Sequence, residues 1–355
     1  METRTKIAIV GCGNISDVYL KNCLAFGLEL VACSDMDMSR AEAKAEQFGI
    51  AARPLPDLLA DPLIGLIVNL TPPLVHAEVS SAVLKAGKHV YSEKPLATNR
   101  TDGAQLLELA QQKGLRVGCA PDTFLGPGLQ TCRKLLDEGA IGEPVAAVAF
   151  MTGRGMEMWH PNPEFFYQPG AGPMFDVGPY YLTALVSMLG PVRRLTGSAR
   201  ASFPERLITS QPLAGTKIKV NTPTHVTGVL DFVSGPIATV ITSFDVWAAN
   251  LPRIEIYGSE GTLNMPDPNR FDGPVRVKSA QDEDWREVPL TEGPTENSRG
   301  LGVRDMVTAL RENRPHRANG EMAFHVLDLM QAFEEASVAG KHIEIQSRCE
   351  RPAAL

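Results

Sequence analysis

The chain is 355 residues long, with a formal net charge of -7, a pI near 5.6, 44% hydrophobic residues and 21% charged ones. That length passes the roughly 250 to 300 residues at which one hydrophobic core stops growing, so two domains are expected; the acidic balance is unsuited to phosphate backbones and excludes a nucleic acid partner. No apolar run reaches the ~18 residues that span a bilayer, and the opening METRTKIAIVG lacks a signal-peptide pattern, so no membrane partner and a cytoplasmic location are expected.

In chain order, the first third alternates short apolar runs with longer amphipathic ones. Strands are expected at 6–10, 30–33, 66–70, 89–91 and 115–119, with helices at 15–26, 40–48, 75–86 and 102–113 between them. Strands buried on both faces and separated by helices predict an α/β, doubly wound parallel sheet over residues 1–123. From about Phe124 the pattern changes: a helix at 130–136, a strand at 145–151, a Gly/Pro-rich stretch and a helix beginning near Pro179. The runs THVTGVLDFV, ATVITSFDVW and RIEIYGSEGTL then read as neighbouring antiparallel strands, and residues 301–340 return to helix. Residues 124–355 are therefore expected to form an α+β domain with a large, mainly antiparallel, open-faced sheet. Val226, Leu230, Phe244 and Trp247 are read as apolar positions on its open face, a surface that calls for a second copy, so a homodimer or homotetramer through this sheet is expected.

The six cysteines (Cys12, Cys23, Cys33, Cys119, Cys132, Cys349) show no CxxC spacing and are expected to stay reduced, most as small buried hydrophobes. No Cys/His/carboxylate cluster has metal-ligand spacing, so no metal is expected. His225 and His325 sit in apolar elements and read as core residues.

Three loops at the carboxyl ends of the first strands carry candidate cofactor contacts. In KIAIVGCGNIS, Gly11, Gly13, Asn14 and Ile15 stand where a strand turns into a helix, the setting in which glycines let a pyrophosphate approach a helix N-terminus; Ser16 replaces the third glycine. Asp35 ends the next strand, where a carboxylate accepts both ribose hydroxyls and repels a 2′-phosphate, so NAD is expected over NADP; the alternative is a solvated turn aspartate. Arg40 follows on the next helix. NLTPPLVH adds Thr71 and Pro72, with His76 as either a contact or a capping and packing residue. SEKP adds Glu93 and Lys94, with a surface ion pair between them as the alternative.

With GCGNIS, SDMD, NLTPPLVH and SEKP in this order, and with DEGAIGEP, GAGPMFDVGPYY, IEIYGSEGTL and PHRANGEMAFHVLDLMQAF further on, the chain resembles the Gfo/Idh/MocA family of NAD(P)-dependent oxidoreductases. The resemblance covers almost the whole chain. It implies a Rossmann domain and a second α/β domain, acting on a carbinol or carbonyl of sugars, cyclitols and related compounds. It makes Lys94 the lysine of the family's EKP motif and places Asp176 and Tyr180 in its substrate segment. The commonest family pattern has histidine where Tyr180 stands; a branch carries tyrosine there as acid/base.

Hydride transfer needs a group that takes the hydroxyl proton as the hydride leaves. A free phenol ionises near ~10, so a phenolic proton carrier working near neutrality needs a cation beside it, the place this reading gives Lys94. Asp176 either caps the helix that carries Tyr180 or bonds the substrate hydroxyl. In EMWHPNPEFFYQ, Trp159, His160, Asn162 and Tyr167 are read as a substrate wall, since aromatic faces with a few polar groups suit a sugar ring; ordinary loop packing is the alternative. Arg299 is a further candidate for the substrate, or a solvated arginine. The reading that emerges is an NAD-dependent oxidoreductase of a sugar-like small molecule, with two alternatives: a non-catalytic NAD-sensing regulator or a dehydrogenase of a non-sugar diol.

Overall fold

A computed structural model describes residues 5–355, which divide into two compact units. One comprises residues 5–126 with Pro294–Leu327, the other Pro127–Gly293 with Asp328–Leu355.

The first unit is a six-stranded parallel sheet, β1 (Lys6–Val10), β2 (Glu29–Ser34), β3 (Ala51–Ala52), β4 (Ile64–Asn69), β5 (His89–Ser92) and β6 (Val117–Cys119), in the order β3-β2-β1-β4-β5-β6. Helices α1 (Ser16–Ala25), α2 (Met38–Phe48), α3 (Leu55–Ala60), α4 (His76–Lys85) and α5 (Arg100–Lys113) connect the strands. Strand residues such as Ile7, Ile9, Leu66, Ile67 and Val90 are completely buried, as a sheet covered on both faces requires. Punctuation is local. Asp37 caps α2 through the Ser39 amide and Asn99 caps α5 through the Asp102 amide, while Gly49 and Gly114 close the same helices in the left-handed region. The strand order reverses between β1 and β4, and ligands of such sheets bind outside the carboxyl ends at that crevice.

The second unit holds α6 (Pro127–Asp137), β7 (Pro144–Thr152), α7 (Gly172–Asp176), α8 (Gly178–Leu189), β8 (Val192–Arg200), β9 (Glu205–Leu207), β10 (Lys217–Lys219), β11 (His225–Phe232), β12 (Ile237–Ser243), β13 (Ile254–Gly258), β14 (Gly261–Met265), β15 (Val275–Ser279) and β16 (Arg286–Val288). A last short strand, β17 (Ile343–Glu344), completes a nine-stranded sheet ordered β16-β15-β14-β13-β7-β12-β11-β8-β17, antiparallel except for the β12–β7 pair; β9 and β10 form a separate hairpin. Every residue of α8 is buried.

The open face of this sheet differs from the expectation. Along β11, Val226, Gly228, Leu230 and Phe232 are buried, and His225, Thr227, Val229 and Asp231 are the partly exposed set. The more apolar alternation faces the core, as a two-residue period demands. Gly228 lies opposite Gly197, and a Cβ on either would run into the Phe333 ring, so that ring lies directly on the strand backbone. Phe244 is also fully buried, whereas Trp247 is exposed as expected.

Helices α9 (Leu301–Glu312) and α10 (Gly320–Ala339) follow in place of one helical stretch, broken where Asn313 takes φ 50° and Pro315 follows. The single division expected after residue 123 differs from the observed units, because residues 294–327 belong to the first. Within that unit the Cys119 amide donates to the Ala318 carbonyl (3.0 Å), which continues the β6 edge, and Gly302 at the start of α9 abuts the Tyr91 ring. A Cβ on Gly302 would land on the Tyr91 hydroxyl.

Candidate active site

The Gly-rich turn of the first unit is shaped by two neighbours. Gly11 has φ 98°, and a Cβ there would come within 2.6 Å of the Leu70 carbonyl; a Cβ on Gly13 would meet nothing within 4 Å. Gly11 is thus required by the fold, while Gly13 leaves open space over the turn, the cradle a pyrophosphate needs. Ser16, in place of a third glycine, donates its hydroxyl back to the Gly13 carbonyl (2.6 Å) and is completely buried. Asn14 and Ile15 complete the turn, Ile15 at the cap position of α1.

Asp35 is bound into this turn: its Oδ2 accepts the Cys12 amide at 2.7 Å and its Oδ1 the Asp37 amide at 2.9 Å. The carboxylate is therefore fixed at the end of β2 beside the turn, where the ribose hydroxyls of a dinucleotide would be bound, and its charge disfavours a 2′-phosphate. Arg40 is exposed and lies 3.4 Å from Asp37.

The second and third rim loops are tied by buried polar groups. Asn69, completely buried at the end of β4, accepts both the amide and the hydroxyl of Thr71 (3.2 and 2.6 Å), and Pro72 follows. Glu93 is 8% exposed; its Oε1 accepts the Tyr19 hydroxyl (2.8 Å) and its Oε2 the Lys94 amide (2.9 Å). The Lys94–Pro95 peptide is cis. His76 does not stand open beside a cofactor: it is 1% exposed, and both ring nitrogens lie on backbone carbonyls.

Arg299, in the same unit, directs a guanidinium nitrogen to Asn297 Oδ1 (2.7 Å), and its backbone carbonyl accepts from Asn22 (2.9 Å). The following residues reveal a group the sequence reading missed. Asp122, three residues beyond the end of β6 and 1% exposed, accepts the amides of Gly300 (2.8 Å) and Gly302 (2.9 Å), and so caps α9 from a distant loop. Burial pushes its carboxyl up to about 6, against the two amides and the charge of Arg299. Three of the five buried side-chain atoms without a partner among the described residues, Asp122 Oδ1, the Tyr91 hydroxyl and the Ser92 hydroxyl, occur here. An acid in GCAPD just past a rim strand was the available signal.

In the second unit, Tyr180 lies in the first turn of α8, 7% exposed, with its amide on the Val177 carbonyl (3.0 Å). Asp176 closes α7, and Val177 occupies the cap position of α8. The aromatic segment divides in two. Trp159 (65% exposed), His160 and Phe165 form an outer cluster, the His160 ring edge-on to Trp159, Phe165 and Phe166 at 5.2 to 5.5 Å; the exposed Asn162 donates its amide to His160 Nδ1 (3.1 Å). Tyr167 belongs to the core instead. It is completely buried beside Phe244, and its hydroxyl donates to Glu157, which also pairs with Arg206 at 3.0 Å. This buried network anchors the segment, and a residue so enclosed is a foundation and not a substrate wall.

A parallel sheet ordered about a central crevice, with a glycine turn and a fixed carboxylate at its carboxyl rim, defines a dinucleotide-binding fold. Residues 5–120 match the model of the oxidoreductase family with an NAD-binding Rossmann fold, and residues 129–264 match the GFO/IDH/MocA C-terminal domain. The chain belongs to the Gfo/Idh/MocA oxidoreductase family, and its N-terminal region is the family's NAD-binding Rossmann fold. Among curated relatives, an uncharacterized oxidoreductase (C115.03) of Schizosaccharomyces pombe is 27% identical over 61% of this chain and 63% of its own length. The dTDP-3,4-didehydro-2,6-dideoxy-alpha-D-glucose 3-reductase of Streptomyces violaceoruber is 32% identical over 54% and 57%. The inositol 2-dehydrogenase of Salmonella typhimurium is 31% identical over 39% and 44%. The chain thus spans less than two thirds of the length of these relatives. A levoglucosan dehydrogenase in complex with NADH and L-sorbose shares the fold at a TM-score of 0.83, 19% identity and coverage of 97% and 99%.

Proposed function

We propose that the protein is an NAD-dependent dehydrogenase or reductase that transfers a hydride between nicotinamide and a carbinol or carbonyl of a sugar, sugar derivative or cyclitol. The observation that carries this reading is the rim of the first unit, where Asp35, Thr71 and Lys94 follow the carboxyl ends of β2, β4 and β5, Asp35 held through its carboxylate by the Cys12 amide and Thr71 and Lys94 through their amides by Asn69 and Glu93. Bound there, the nicotinamide supplies the hydride chemistry. The chain's own part is the proton: Tyr180 gives or takes it at the reacting oxygen, Lys94 provides the cation that stabilises developing negative charge, and Asp176 accepts a hydrogen bond from the substrate hydroxyl. Trp159, His160 and Asn162 are proposed to touch the sugar ring, with Arg299 a further contact. Sugar-related activities in the names of two relatives support the substrate class.

The pH dependence of turnover tests the pairing. Lys94→Ala flattens the alkaline limb of the pH–rate profile; an unchanged profile contradicts the role of Lys94. The open face of the nine-stranded sheet is also proposed to join copies into a homodimer or homotetramer, and a scattering mass equal to one 38.4 kDa chain would exclude it.

A further inference from the structure

We propose that His76 is a positioning residue, a tether whose ring joins two rim loops and so fixes the peptide that carries Lys94; the proposal rests on the role given to Lys94 above. Nδ1 lies 2.7 Å from the Pro95 carbonyl oxygen and Nε2 lies 2.6 Å from the Thr71 carbonyl oxygen, with the residue 1% exposed. One loop follows β4 and the other follows β5.

Both partners are carbonyls, which only accept, so every hydrogen bond at this ring is a donation from His76. The neutral ring donates from one nitrogen and the imidazolium from both. Burial holds the imidazole below its ordinary range; the two carbonyls and the charge of Glu93 favour the cation, and Lys94 disfavours it. Because His76 itself follows the β4 loop along the chain, a single donation from Nδ1 to the Pro95 carbonyl is enough to join that loop to the one that carries Lys94.

The tether is part of a larger frame. Asn69 donates to the His76 carbonyl (3.0 Å) and to Ser80 (3.0 Å) while accepting from Thr71. Glu93, steadied by Tyr19, holds the Lys94 amide. The Lys94 backbone is thus gripped at its own amide by Glu93 and one residue further on by His76. A small apolar residue at 76 would leave the loops unjoined across a cavity of imidazole size.

The test combines a double-mutant cycle with chemical rescue, in the full-length protein with NAD and a working substrate. His76→Ala is expected to lower kcat by up to ~100-fold, the scale of a misplacement of about 1 Å. If His76 acts through Lys94, the double variant with Lys94→Ala loses little beyond Lys94→Ala alone; additive losses overturn the proposal. Imidazole restores turnover to His76→Ala, and N-methylimidazole, whose neutral ring has no N–H, does not. Unchanged turnover, equal rescue by both compounds, or rescue by neither overturns the tether. Should His76→Ala fail to fold, His76→Gln is read through the same cycle, since its amide reaches one carbonyl. An inert Lys94→Ala would refute the role of Lys94, leaving the tether to stand or fall on the rescue.

Discussion

Replacing Asp122 with asparagine removes a buried charge while keeping an oxygen for the Gly300 and Gly302 amides. Burial raises this carboxyl from the ordinary 3.8 to about 6, with the charge of Glu93 acting in the same direction and Arg299 opposing it. The folded state therefore holds a proton that the unfolded chain has released. Stability contributed at low pH is lost as pH rises from about 4 to about 6, and the loss levels off above that. A displacement of this size corresponds to about 3 kcal/mol at neutral pH. Asparagine does not titrate, so Asp122→Asn should gain on the wild type across the same window, by up to about 3 kcal/mol at pH 7 relative to the difference at pH 4. Urea unfolding of both proteins from pH 4 to 8 measures it. A stability difference that stays flat with pH would refute the assignment of a strained, buried carboxylate.

Gly302→Ala places a methyl group on the Tyr91 hydroxyl and should lower stability by about 1–3 kcal/mol; adding Tyr91→Phe, which also removes an unpartnered buried hydroxyl, should recover part of the loss in thermal unfolding. Tyr180→Phe should abolish most turnover and leave the NAD dissociation constant near wild type, read by fluorescence titration. Asp35→Ser should narrow the preference for NAD over NADP, because the repulsion of a 2′-phosphate disappears; an unchanged ratio of the two dissociation constants places selectivity elsewhere.

The first unit was legible because its strands are apolar on both faces and its turns carry distinctive residues: Gly11 and Asp35 appear in the structure bonded into one turn, as their order along the chain suggests. The two-residue β3 and six-residue α3 were too short to show a period. For His76 and Tyr167 the sequence left ligand contact and packing both open, and the structure favours packing in both for one reason. A histidine or tyrosine near a rim or in an irregular loop is polar enough to suggest a ligand, yet here each is buried and satisfied by partners distant in sequence, Pro95 for one and Glu157 for the other. Asp122 shows the converse, since its partners lie 178 and 180 residues away and no local pattern announces them. The return of residues 294–327 to the first unit is likewise a long-range packing decision, made where Gly302 lets α9 approach Tyr91.

The most direct test of the proposed activity is nicotinamide absorbance when purified protein and NAD are offered monosaccharides, cyclitols and their keto derivatives, with NADP in parallel. The account predicts turnover on a ring-hydroxyl series, faster with NAD and lost in Tyr180→Phe. Tight NAD binding with no turnover on any member of the panel would contradict it.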